Sequence, residues 1–136
     1  MRPLILDTNI LVGHWHRRKS LGGPLATKTA VDAEQWADEL VGIEGTDAIL
    51  TPVYLEVVGG PVNGHEMTLT KAYLGRFRII DGGRVIPADW AEAHRLAERI
   101  PRQPGAKPRG AVDCLIKAIV KRLRCDVRTF DLGMPR

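Results

Sequence analysis

Short apolar runs that stop abruptly at polar residues, each followed by a segment of helical period, constrain this chain most. The first run is Leu4-Ile5-Leu6, which ends at Asp7-Thr8-Asn9. A continuous apolar run of this kind reads as a strand buried on both faces, as in a parallel sheet. Ala48-Ile49-Leu50 repeats the pattern ahead of Thr51-Pro52, and residues 77–80 and 126–129 supply a third and a last strand. A short helix opens at Thr8 or Asn9, and helical segments follow at 29–41, 52–58, 65–76, 89–100 and 111–124. Strands alternating with helices predict an α/β fold, with a mostly parallel central sheet of four or five strands flanked by helices in three α/β/α layers.

Local signals refine the expectation. Thr51 is expected to cap the third helix, with Pro52 at its first position. Val85-Ile86 reads as a short strand extension after Gly82-Gly83. Residues 20–24 and 101–110 are Gly/Pro loops. Helical spacing nominates Val31, Trp36, Leu40 and Val41 as core in one helix, and Trp90, Ala93, Leu96, Ala97 and Ile100 in another. Val112, Leu115, Ile116, Ile119, Val120 and Leu123 form the apolar stripe of the strongest helix. The whole span 1–136 is expected to form one domain, since 136 residues suffice for a sizeable core and the 101–110 loop is short for a linker.

Composition narrows the class. Hydrophobic residues make up 44% of the chain and charged residues 26%, ordinary for a soluble globular protein. No apolar run approaches the roughly 18–20 residues that span a bilayer. No leader is expected, because Asp7 interrupts the first apolar stretch. Cys114 and Cys125 are the only cysteines; they do not make a disulfide framework, and a reducing cytoplasm is the expected compartment. Each reads as a buried small hydrophobe. The net charge is +4, but unevenly spread: residues 31–60 hold seven acids and no Lys or Arg, whereas 95–128 hold ten Lys or Arg against three acids. A second basic cluster is His14-Trp15-His16-Arg17-Arg18-Lys19. Such asymmetry points to a polyanion such as nucleic acid, although any one of these cations also reads as a solvated surface charge.

Four acids stand at strand ends or near helix starts: Asp7, Glu56, Asp113 and Asp131. In a parallel sheet these positions share the carboxyl edge, where open α/β folds bind ligands. Converging carboxylates repel one another unless a cation neutralises them. Oxygen donors without Cys or His select Mg²⁺ or Mn²⁺. One or two such ions can activate a water and stabilise a leaving oxygen, which suits phosphodiester hydrolysis. Each acid has a plainer reading. Asp7 could cap the following helix, Asp113 could favour its helix dipole, and Asp131 could be a turn residue. Glu56 resists this most, as the lone charge in Val53-Tyr54-Leu55-Glu56-Val57-Val58.

These stretches resemble a known family. LDTNILV around Asp7, TPVYLEVV around Glu56, GAVDCLIKAIVKRLRCDVRTFD around Asp113, and Thr129-x-Asp131 match in order and spacing the PIN domains, and among them the VapC-type toxins of bacterial toxin–antitoxin pairs. The likeness covers essentially the whole chain. It implies a metal-dependent ribonuclease in which Asp7, Glu56 and Asp113 are the core ligands of Mg²⁺ or Mn²⁺ and Asp131 is the fourth. It implies that Asn9 and Thr129 support the site by hydrogen bonds. It also implies a homodimer and, for toxin members, a protein antitoxin that blocks the site. The loop HWHRRKSLGGPL has no clear counterpart in the family, and no further acid follows Asp131.

Arg17, Arg109 and Lys117 are the expected holders of the RNA backbone. Lys117 lies one helical turn from Asp113 and could pair with it instead. His14-x-His16 could be half a zinc site, but no Cys or His supports it at a suitable spacing, so a solvated basic loop is the preferred reading. Trp15 could stack an RNA base or pack on its own domain. An aspartyl-phosphate phosphatase needs a second acid where this chain has Asn9. The rival to the nuclease is a PIN-like module that binds RNA or protein without cutting.

Overall fold

The computed structural model describes residues 2–99 and 110–129. Four strands, β1 (Leu4–Leu6), β2 (Ala48–Ile49), β3 (Arg78–Ile79) and β4 (Asp126–Arg128), form one sheet in the order β3-β2-β1-β4. Every neighbouring pair is parallel, with Ile5 opposite both Ala48 and Val127. Six α-helices surround the sheet: α1 (Thr8–Lys19), α2 (Ala30–Glu44), α3 (Thr51–Val58), α4 (Gly64–Leu74), α5 (Pro87–Ala97) and α6 (Ala111–Leu123). A 3₁₀ turn at Leu25–Thr27 joins α1 to α2. The fold is α/β in three layers, as expected.

The strand order follows from the chain path. From β1 the chain steps outward to β2 and β3, then returns past β1 to β4. Right-handed crossovers in opposite directions put their helices on opposite faces. The core lies on β1 and β2: Ile5, Leu6, Ile49 and Leu50 are fully buried. On one side Trp15, Trp36 and Tyr73 meet edge to face, with ring centroids 5.6 and 5.1 Å apart, and Phe77 lies 5.5 Å from Tyr73. Such pairs add about 0.5–1.5 kcal/mol each beyond burial.

Local chemistry sets the helix limits. Thr29 and Asp32 form a reciprocal capping box at α2, and Asn63 accepts from the Glu66 N–H at α4. Gly45, at φ 74°, closes α2 in the left-handed conformation that favours glycine, so α2 continues to Glu44 rather than ending at 41.

Several expectations are corrected. Leu50, not Thr51, is the N-cap of α3; the Thr51 hydroxyl donates instead to Asp81 at 2.6 Å. Val85-Ile86 is not a strand: Ile86 is the N-cap of α5, and its N–H donates to Asp89. Val31 and Trp90 are exposed rather than core, and Ala97 is also at the surface. The 14–19 segment is not a solvated loop but the last half of α1, with His14 and Trp15 buried. The loop 101–109 and the core position Ile100 lie outside the described residues. Cys114 and Cys125 are free and buried. Among the described residues no helix is long and apolar enough to cross a membrane.

Candidate active site

The reversal of chain direction after β3 makes the gap between β1 and β4 a switch point, the crevice where open α/β sheets bind ligands. Asp7 follows β1 and Thr129 follows β4, so they face each other across that crevice. The Asp7 N–H donates to the Arg128 carbonyl at 2.9 Å, extending the pairing beyond both strands. Asp7 is the N-cap of α1, and its Oδ1 accepts from the Thr8 N–H at 2.8 Å. Its Oδ2 accepts from the Thr129 hydroxyl at 3.1 Å. The Asn9 amide donates to that same hydroxyl oxygen at 3.1 Å. Thr129 thus holds Asp7 directly, and Asn9 in turn holds Thr129.

Glu56 enters from the neighbouring element. α3 begins directly after β2, at the same edge of the sheet. Glu56 is exposed rather than buried in its apolar surroundings, which removes the desolvation problem its sequence context suggested. The Thr8 hydroxyl donates to Glu56 Oε1 at 2.6 Å. Thr8 therefore ties the two acids together, its N–H on Asp7 and its hydroxyl on Glu56. The sequence reading missed Thr8. The signal was available: a hydroxyl between two candidate polar residues, at the first position of a helix that faces α3.

Asp113 lies in the first turn of α6. Because α6 returns the chain to the start of β4, its N-terminus also points to the carboxyl edge. Its carboxylate, however, pairs with Lys117 at 3.0 Å, one turn along the helix. Among the described residues, no three or more His, Cys, Asp or Glu side chains are gathered closely enough to hold a cation. The structure brings Asp7 and Glu56 together and leaves Asp113 turned to its own helix. Asp131 and Arg109 lie outside the described residues. Arg17 is exposed and borders a cavity of about 150 Å³ that Asn9 also lines.

The donor chemistry suits a hard cation. Asp7 and Glu56 offer oxygen ligands and accept only from hydroxyl and backbone N–H donors; neither forms an ion pair among the described residues. A divalent ion is the natural complement of such a pair. Lys117 would have to release Asp113 for that side chain to join.

The basic clusters are less open than the sequence suggested. Arg95 and Lys121 both pair with Glu92, and Arg122 pairs with Asp89. In α1, Arg18 pairs with Glu39 at 3.0 Å and Lys19 with Glu66 at 3.2 Å. His14 Nδ1 lies 2.8 Å from the Tyr73 hydroxyl, while its buried Nε2 makes no hydrogen bond and lies 3.8 Å from Glu39 Oε1. Burial lowers the His14 pKa, with Glu39 opposing and Arg17 and Arg18 reinforcing the shift. Burial pushes the Tyr73 hydroxyl up. Trp15 packs on its own domain, against Trp36 and Tyr73.

Comparison with protein-family models, curated proteins and solved structures gave no match.

Proposed function

We propose that this chain is a Mg²⁺- or Mn²⁺-dependent endoribonuclease. The observation that carries the reading is the pair Asp7 and Glu56, linked by Thr8, oriented by Thr129 and Asn9, and free of cationic partners among the described residues, at the switch-point crevice. The resemblance of the surrounding motifs to PIN domains supports the same reaction. Asp7 and Glu56 would hold the ion, with Asp113 and Asp131 completing its ligands. A bound hard cation supplies Lewis acidity toward the phosphodiester and lowers the pKa of water.

The chain's own residues do the rest. Thr8 and Thr129 fix the carboxylates before substrate arrives, which spares reorganisation during reaction. Were Asp113 to join those ligands, Lys117 would be free to meet a phosphate oxygen. Arg17, exposed on α1, gives a second contact to the RNA backbone, as does Arg109. The reading extends to a toxin of a toxin–antitoxin pair, acting in the cytoplasm as a homodimer and restrained by a protein antitoxin.

The test is cleavage of single-stranded RNA by wild type and Asp7→Asn, with Mn²⁺ or with EDTA. Asparagine caps a helix as well as aspartate does, so the variant separates ligation from capping. The expected loss is at least 100-fold, about 2.7 kcal/mol of transition-state stabilisation. Cleavage that survives both EDTA and the substitution overturns the reading.

One observation favours a second reading, a PIN-like module that binds RNA or protein without cutting. Asp113 is neutralised by Lys117, and no acidic triad is assembled among the described residues. A Mn²⁺ titration decides: binding that Asp7→Asn abolishes favours the nuclease, and no binding favours the module.

A further inference from the structure

One stripe of α1 runs from the candidate site along the helix: Thr8, Val12, Trp15 and Lys19. It faces α3 and α4 across a cleft, and in that cleft lies a cavity of about 130 Å³. Glu56 lines one end, so the cavity opens beside the paired carboxylates. Val12 is one helical turn from Thr8, about 6 Å along the axis.

The walls are held rigidly. Trp15 is 6% exposed and fixed by edge-to-face contacts with Trp36 and Tyr73. Val57 and Pro61 complete the apolar side. The polar side holds an ion pair, Lys19 Nζ on Glu66 Oε1 at 3.2 Å with Glu66 only 8% exposed, beside Glu56, His16 and Thr70. The other Glu66 oxygen has no hydrogen-bond partner among the described residues, and Lys19 keeps further N–H donors. A nearly buried acceptor thus stands beside a donor, both lining a pocket they do not fill.

We propose that this pocket receives a pyrimidine base of the RNA, next to the nucleotide being cut. The choice of a nucleobase rests on the nuclease reading above; the choice of a pyrimidine rests on the pocket. An enclosed cavity of about 150 Å³ takes one benzene ring, so at about 130 Å³ this open pocket suits a single ring better than a fused pair. Glu66 accepts from the cytosine amino group while Lys19 donates to the ring acceptor beside it. In uracil the same two side chains meet the ring N–H and the adjacent carbonyl. Adenine offers a similar edge on a larger frame, which this pocket covers less completely.

The experiment needs no catalysis. The four nucleosides cytidine, uridine, adenosine and guanosine are titrated into wild type and followed by amide shifts. The expected result is at least tenfold tighter binding of the two pyrimidines. Gly60→Leu is the companion variant: Gly60 lines the cavity, its φ is not in the left-handed region, and an added Cβ meets only the Val57 carbonyl at an ordinary 3.6 Å. It should abolish the pyrimidine preference and leave the melting temperature unchanged. Equal binding of all four nucleosides by wild type overturns the inference without recourse to the variant. So does a preference that persists in Gly60→Leu. A chain that prefers pyrimidines yet never cuts RNA keeps the pocket and loses the nuclease. A chain that cuts RNA but binds all four alike keeps the nuclease and loses the pocket.

Discussion

The acids between α5 and α6 and those at the sheet edge are held in opposite ways. Asp89 is 1% exposed, takes two hydrogen bonds from Arg122 at 2.7 and 2.9 Å, and accepts a third from the Ile86 N–H. Burial alone would raise its pKa, but Arg122 and the Ile86 N–H outweigh it and hold the carboxyl below its usual range. Glu92, gripped by Arg95 and Lys121, is drawn down to about 2. Asp7 accepts two oriented bonds and Glu56 one, all from neutral donors. In one region the fold supplies the countercharge, which makes the acid structural. In the other it supplies orientation and withholds the countercharge, which leaves the acid available to an outside cation.

The sharpest way to break this contrast is a pair of substitutions compared in urea. Asp89→Ala removes both the partner of Arg122 and the cap of α5. It should cost about 2–3 kcal/mol, below the full range for a buried pair because Arg122 can reach solvent. Asp7→Asn should stay within about 0.5 kcal/mol of wild type. Equal losses would make Asp7 structural too.

A weaker effect is expected at the hydroxyl that joins the site acids. Thr8→Val keeps the N–H on Asp7 and removes only the bond to Glu56. Isothermal titration should show Mn²⁺ affinity falling about tenfold, as for loss of a group that orients a ligand. An unchanged affinity would mean that Glu56 is placed by α3 alone.

Acid titration sharpens the comparison by pH window. The folded pKa of His14 is lowered, so the unfolded chain binds more protons just below 6.5, and His14's contribution, complete above that value, is lost on acidification. Asp89 and Glu92 are also lowered. Their stabilisation is present above the ordinary carboxyl values and lost as pH falls through the folded ones, near 2 for Glu92. Chemical denaturation should therefore show two separate declines, and His14→Phe should remove the upper one only. The smallest effect concerns backbone: Arg124 closes α6 at φ 55°, and Arg124→Gly should raise stability by about 0.5–1 kcal/mol in the same assay.

The sequence made the strands legible because a buried parallel strand has no polar face to confuse the pattern, as at Leu4–Leu6. It made the helix caps legible where the partners are three residues apart, as with Thr29 and Asp32. It failed where a distant residue wins a local competition. Thr51 has the chemistry of a cap, but Asp81, thirty positions on, takes its hydroxyl. His14 looks like part of a solvated cluster until Tyr73, 59 positions away, buries it. Trp90 fits the apolar spacing of α5, yet periodicity alone does not tell a covered face from an open one. At the site, Asp7 and Glu56 were legible as acids at one edge. That Asp113 faces Lys117 depends on a rotamer, which spacing permits but does not choose.

The strand order also dictates when the site can exist. Asp7 follows the earliest strand of the sheet, while the hydroxyl that orients it belongs to Thr129, 122 positions later. Closing so long a loop comes late in folding, because its entropy must be lost before the contact stabilises anything. A chain stalled before β4 emerges keeps one flank of β1 unpaired and Asp7 without Thr129. During synthesis, the carboxylate that follows β1 therefore waits for β4 before it is finished.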